Sequence, residues 1–224
     1  MSADTVDYEG IAFERLGHAS VRLETDDGTV VYVDPWGEVL EGAPNDGDVV
    51  FVTHDDMDHY DADAIEAVAG PDATVAVYEA VDTGDLAFDV VDLPHEGETT
   101  VAGIDVRSVP ASNDPAGDHL DEDGEPFHAE GEVIGLLFAI DGTTVFFPSD
   151  TDFLPHHESI AADVFVPPIG GHFTMDRREA AAFARSVDPD LVLPEHYDTF
   201  EPIETDAEAF ADDLESDGIR VELF

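Results

Sequence analysis

Residues 49–59 constrain this chain more than any others. Val49-Val50-Phe51-Val52 runs straight into Thr53-His54-Asp55-Asp56-Met57-Asp58-His59. A continuous apolar run suits a strand buried on both faces. The stretch from about Asp61 to Val68 that follows reads as a helix. Two imidazoles and two or three carboxylates therefore meet on one strand-to-helix turn. Zinc-like and manganese-like ions accept imidazole and carboxylate together, and a nearby helix N-terminus tolerates carboxylates. The plainer alternative is chance: 55 of the 224 residues are acidic, so paired aspartates mean little alone. Histidine is scarcer, at ten, and two of them five apart at the end of an apolar strand are the informative part.

The same acidity gives a formal charge of −48, with seven arginines and no lysine. A charge of this size often signals disorder, but the apolar segments, within 43 % hydrophobic residues, provide for a substantial core. The charge is spread along the chain instead of forming a tail. At about 1 M salt the Debye length is roughly 3 Å, and the self-repulsion largely disappears. The composition therefore points to a high-salt cytoplasm, against the alternative of an acidic interaction surface. No basic patch exists to release counterions, so nucleic acid is not expected as a partner. With no cysteine, disulfides, thiolate metal sites and cysteine nucleophiles are excluded. Met1–Gly10 is polar and acidic and does not read as a signal peptide. No apolar run is long enough to span a membrane.

The pattern along the chain is strands, then strands alternating with helices, and it occurs twice. Ile11–Leu16, Ser20–Thr25 and Thr29–Asp34 read as strands, with Asp26-Asp27-Gly28 as a hairpin turn. Short strands follow at 74–77, 88–93 and 104–110. Residues 112–131 are the least regular part, rich in Asp, Glu, Gly and Pro, and loops of this length are usually functional or mobile. A second group of strands covers 133–140, 143–148 and 163–166. Asp176 is expected to cap a helix to Val187, with Glu179 as its capping-box partner. A strand at 191–193, a helix at 207–216 and a strand at 219–223 complete the chain. Two mixed sheets packed face to face with helices outside satisfy this order. The expected fold class is α/β, a four-layer αβ/βα sandwich forming one domain over residues 1–224.

Three further apolar strands end in residues able to bind metal: Ser149-Asp150-Thr151-Asp152, Gly170-Gly171-His172 and Glu195-His196-Tyr197. Strand ends on one side of a sheet assemble sites from distant sequence. Each has a plain alternative as a turn opener or a satisfied loop residue, but together with residues 53–59 they make four such coincidences.

In these motifs the chain resembles the metallo-β-lactamase-fold hydrolases, in particular the branch of ascorbate-6-phosphate lactonase-like proteins and related metal-dependent hydrolases. Leu16-Gly17-His18-Ala19-Ser20, Asp34-Pro35-Trp36, Thr53–His59, Ser149–Asp152, Pro168–Met175 and Pro194–Tyr197 carry the resemblance in order, over nearly the whole chain. The resemblance implies a first metal site of His54, Asp56 and a third ligand, a second of Asp58, His59 and His196, and Asp150 bridging them. Asp56 stands where the family signature has a second histidine, and Asn113 where it has a third. Either Asn113 or His128 is expected to complete the first site. These changes make that site harder and more oxygen-rich and shift its preference from zinc toward manganese. The cofactor implied is one or two divalent ions, zinc or manganese.

The implied chemistry is attack of a metal-bound hydroxide on an ester, lactone or phosphodiester of a small molecule. Asp58 is expected to hold the nucleophile's proton as well as a metal. His172 is expected as a catalytic residue, and His18 and Asn113 on the substrate; the alternative for both histidines is a structural loop role. His95, His119, His156 and His157 read as surface residues. Arg177 and Arg178, in the first turn of a helix, offer a phosphate site, and two solvated charges are the preferred reading. The rival from another class is a non-catalytic metal-binding or sensor module with a half-filled site.

Overall fold

The structure, a computed structural model, describes residues 5–224. The first strand group forms a seven-stranded sheet in sequence order. Its strands are β1 (Thr5–Tyr8), β2 (Ile11–Gly17), β3 (Ser20–Thr25), β4 (Val30–Val33), β5 (Gly47–Val52), β6 (Ala69–Tyr78) and β7 (Val90–Leu93). From β1 to β4 neighbours are antiparallel, and from β4 to β7 they are parallel. The second sheet repeats the plan with β8 (Gly97–Val101), β9 (Ile104–Ala111), β10 (Val133–Ile140), β11 (Thr143–Phe147), β12 (Val164–Phe165), β13 (Leu191–Val192) and β14 (Arg220–Val221). It too begins antiparallel and turns parallel, at β11.

Parallel strands need crossovers, which place helices on the sheet faces. The crossover helices are α1 (Ala62–Val68), α2 (Arg177–Val187) and α3 (Ala207–Glu215). The alternation inside the parallel strands follows from burial on both faces. Val145, Phe147, Val164, Leu191 and Leu193 join the core between the sheets, where Phe51 and Phe138 meet at 5.6 Å. Phe146, Phe165 and Val192 point the other way, onto Ala180, Phe183 and Ala184 of α2 and Phe210 and Leu214 of α3. The two mixed sheets with outer helices are the expected α/β sandwich. No helix among the described residues is long and apolar enough to cross a membrane.

Turn chemistry sets the hairpins. Gly28, at φ +90°, closes the β3–β4 turn. Asp141 and Gly142 both have positive φ, as a two-residue hairpin between β10 and β11 requires. Asp61 caps α1 by accepting from the amides of Asp63 and Ala64, and its other oxygen takes the amide of Gly37 at 2.9 Å.

Some elements differ from the expectation. β1 and β8 were not anticipated. Both are edge strands with half-exposed alternation and polar residues, the composition that blunts sheet edges. Short 3-10 helices at Pro155–Ser159 and Glu201–Ile203 were not anticipated either. Asp176 does cap α2, but Glu179 does not close a capping box: its Oε1 accepts the amide of Phe153 at 2.9 Å. Of Met1–Gly10, residues 1–4 lie outside the described residues.

Candidate metal centre

Strand ends from both sheets meet where the amide of Ile134 reaches the carbonyl of Thr53 at 3.3 Å. His54, Asp56, Asp58 and His59 leave the end of β5, Asp150 the end of β11, and His196 the end of β13. His128 arrives from the irregular segment after β9. Several of these ends turn through left-handed backbone: Asp34, Ser149 and His196 have φ of 45°, 59° and 52°. Aspartate and histidine tolerate that region better than branched residues.

His54, Asp56 and His128 present atoms within 4.8 Å of one another, as do His54, His59 and Asp150, and as do His18, Asp58, His59 and His196. Asp150 joins the groups: its carboxylate lies 3.4 Å from His59 Nε2, 3.4 Å from His128 Nε2 and 3.3 Å from His196 Nε2. Asp56 lies 3.2 Å from His128 Nε2 and 3.6 Å from His54 Nε2. Between Asn113 and His128, it is His128 that the structure brings to this cluster.

The hydrogen bonds assign the tautomers. Thr53 Oγ1 donates to Asp34 Oδ2 at 2.7 Å. Its single proton is thereby committed, so it accepts from His54 Nδ1–H at 3.0 Å and from the Ser149 hydroxyl at 2.8 Å. His59 Nδ1–H donates to the same Asp34 carboxylate at 2.8 Å. Both imidazoles therefore turn a bare Nε2 toward the cluster, the orientation that a carboxylate or hydroxyl behind a ligand histidine provides. His54 Nε2, His59 Nε2, His196 Nε2 and Asp150 Oδ1 are buried without a hydrogen-bond partner. Each such atom costs ~1–3 kcal/mol. A divalent cation shared among them removes that cost, so the donor set fits a metal.

Electrostatics keep the carboxylates ionised. Burial pushes the Asp150 carboxyl up, but His196 and His59 outweigh it and hold it well below its ordinary value. The hydrogen bond from His128 and the nearby imidazole of His54 lower Asp56. Burial raises Asp58, but the hydrogen bond from His18 leads in bringing it down to about 2.

Three expected residues lie outside the ligand set assigned above, each with its own surroundings. His18 is buried, donates from Nε2 to Asp58 at 2.7 Å and accepts at Nδ1 from Thr199 at 3.0 Å. Burial lowers it to about 4, so it is a neutral ring. It holds Asp58 and is not among the residues that line the cleft over the cluster. Asn113 is 1 % exposed. Its Oδ1 takes the amide of His128 at 2.8 Å, and its Nδ2 goes to Asp152 and to the carbonyl of Phe173, both at 3.0 Å. Both of its N–H donors are committed, and the amide locks the His128 segment. His172 is exposed and packs on Phe127 and Phe173, outside every group of candidate ligands. Among the supposed surface histidines only His156 is exposed; His95 and His119 are half-buried and His157 is buried.

Sequence reasoning missed Asp34, Thr53, Ser149 and Asp152 as supports. Asp152 takes the amide of Asp114 at 2.7 Å and His119 Nδ1 at 2.7 Å, besides Asn113, and so anchors the segment that delivers His128. The signal was present in the quoted motifs, but their turn chemistry gave no reason to separate a support from a ligand.

A cleft of about 280 Å³ opens over the cluster, between Asp56, Asp58, His196 and the side chains of Trp36, Met57, Phe173 and Phe200.

The profile of the Beta-lactamase superfamily domain matches residues 13–196. A UPF0173 metal-dependent hydrolase of Methanopyrus kandleri is 34 % identical over 93 % of each chain. The solved structure of a metallo hydrolase from Ignicoccus hospitalis has a TM-score of 0.78 at 26 % identity, covering 96 % of this chain and 94 % of that one. A Parabacteroides distasonis structure reaches a TM-score of 0.83 at 24 % identity over 99 % and 97 % of the two chains, a likeness of fold alone. By its sequence and its fold, this chain belongs to the UPF0173 metal-dependent hydrolases of the metallo-β-lactamase superfamily.

Proposed function

We propose that the chain hydrolyses an ester, lactone or phosphodiester bond of a small molecule in the cleft over the cluster, using one or two zinc or manganese ions. The observation that carries this is the convergence of bare, buried imidazole nitrogens on Asp150. His54, Asp56 and His128 would hold one ion, Asp58, His59 and His196 the other, with Asp150 between. The lactone belongs to this set through the resemblance to ascorbate-6-phosphate lactonase-like proteins. When bound, the metal supplies positive charge for the developing oxyanion and lowers the pKa of water from 15.7 to about 7.

The chain's own residues do the rest. His18, kept neutral and held by Thr199, donates to Oδ2 of Asp58, and Oδ1 remains to take the proton of an attacking water. The water oxygen adds to the acyl or phosphoryl centre, and the bond to the leaving oxygen breaks. The proton passes through Asp58 to that oxygen. Trp36 and Phe173 supply apolar walls to the cleft. The setting we propose is a high-salt cytoplasm, which the charge of −48 supports.

The test pairs metal analysis with turnover for protein purified in molar KCl and supplied with manganese or zinc. Asp58→Ala should lose both the second ion and hydrolysis of a panel of esters, lactones and phosphodiesters. A wild-type protein that binds metal fully and turns over none of the panel would return the non-catalytic binding module.

A further inference from the structure

We propose that the cleft selects an uncharged ester or lactone with an apolar or aromatic group and discriminates against phosphate esters. This rests on the hydrolase reading and names its substrate class. The first support is the wall. Trp36, Met57, Phe173 and Phe200 line the cleft opposite the cluster. Phe173 and Phe200 meet edge to face at 6.4 Å, and Trp36 leans on His18 at 5.2 Å. Met57 is 78 % exposed and Phe200 37 %, and among the described residues only Leu223 joins them as an exposed large apolar side chain. On a surface otherwise covered with carboxylates, two of these three sit at one cleft. Exposed apolar groups gathered at one place mark a binding surface.

The second support is what the wall omits. No arginine lines the cleft among the described residues. Arg15 is spent beneath it, on the carbonyls of His18 and Tyr197. Arg22 holds Glu24 and Asp46, and Arg185 and Arg220 pair with nearby acids. The α2 N-terminus beside Arg177 and Arg178 offers no anion site, because Asp176 already takes the amides of Arg178 and Glu179. A phosphate ester keeps a charged oxygen that calls for bidentate donors such as arginine, and the described lining of the cleft holds none. The third support is size. At about 280 Å³, the cleft lies at the small end of ligand sites, which run from roughly 300 Å³ upward.

The chain contains one tryptophan, at this wall, so its fluorescence reports occupancy without turnover. The metal-loaded protein in molar KCl is titrated with butyranilide, a neutral amide isostere of an aryl ester, and with phenyl phosphate. In parallel, kcat/KM is measured for 4-nitrophenyl butyrate and bis(4-nitrophenyl) phosphate. The proposal expects the amide to bind at least roughly tenfold more tightly than phenyl phosphate, and the butyrate ester to be the better substrate. In Phe173→Ala, affinity for the amide should fall by about tenfold while metal content holds. Tighter binding of phenyl phosphate, or faster diester turnover, overturns the substrate class and leaves the hydrolase reading standing. Selective binding of the amide without turnover of either substrate supports the class of ligand and overturns the hydrolase reading.

Discussion

At the scale of single residues, the histidines of the site are set by groups that never touch a ligand. Thr53 Oγ1 serves Asp34, His54 and Ser149 at once. Thr53→Val keeps the shape and removes the hub. Metal affinity, measured by chelator competition, should fall by about 10–100-fold, with the fold retained by circular dichroism. Unchanged affinity would mean that the tautomers are fixed some other way. His172→Ala should leave kcat within roughly twofold, since an exposed residue outside the cluster supplies no binding term of the size a reacting group does; loss of metal in that variant would contradict the assignment. His157 tests burial directly. Its Nε2–H donates to the carbonyl of Pro110 at 3.0 Å, its Nδ1 accepts the amide of Leu154 at 3.2 Å, and its ring stacks on Phe183. Only the neutral ring satisfies both bonds, and burial lowers its pKa from 6.5 to about 4. As pH falls below about 6.5, the unfolded chain takes up the proton first. This contribution to stability is therefore complete above that pH and is lost toward about 4. Relative to His157→Phe, the wild type should lose about 1 kcal/mol between about pH 7.5 and about pH 5.5, read by urea unfolding; parallel pH profiles would contradict it. His54, Asp56, Asp58 and His59 were legible because they share one motif. Asp34 was not, because its role depends on β4 lying beside β5 with Val33 opposite Phe51, a pairing that a linear reading of Asp-Pro-Trp does not contain. His18 and Asn113 were legible as site residues but not as supports, since a buried donor and an exposed one look alike in sequence.

At the scale of elements, what positions the site is close approach at strand ends. A Cβ on Gly170 would stand 2.4 Å from the carbonyl oxygen of His196 and 2.8 Å from Cβ of Ile203. Backbone cannot yield there cheaply, and the segment after β12 would push the end of β13 away. Gly170→Ala should therefore cost stability by ~1–3 kcal/mol, the usual cost of overpacking, and lower metal affinity as His196 moves. Wild-type metal affinity in a destabilised Gly170→Ala would show that His196 is held from elsewhere, for instance through its amide bond to the carbonyl of His18. The central strands and α2 were readable because burial on both faces and a 3.6-residue period leave strong patterns. β1 and β8 escaped because edge strands are half solvated and selected for polarity. Glu179 escaped as a capping-box partner because tertiary packing offered its carboxylate the amide of Phe153 instead.

At the scale of the whole molecule, two sheets built to the same plan bring four distant segments to one edge, and a charge of −48 surrounds them. Self-repulsion among the carboxylates opposes the compact state, and salt screens it. The midpoint of thermal unfolding should rise steeply from dilute buffer to molar KCl, and divalent ions should raise it further by binding the native cluster alone. A midpoint indifferent to KCl would contradict the reading of salt adaptation. The ligand-bearing strand ends were legible from composition and order, but their grouping was not, because only the fold decides that Asp150 stands among His59, His128 and His196. Anomalous scattering from crystals of protein loaded with manganese or zinc tests that grouping most directly. The account predicts ion density bounded by His54, Asp56 and His128, by Asp58, His59 and His196, or by both, with Asp150 at its edge. Ion density only at the separate cluster of His119, Asp152 and Glu179, or none at all, would contradict it.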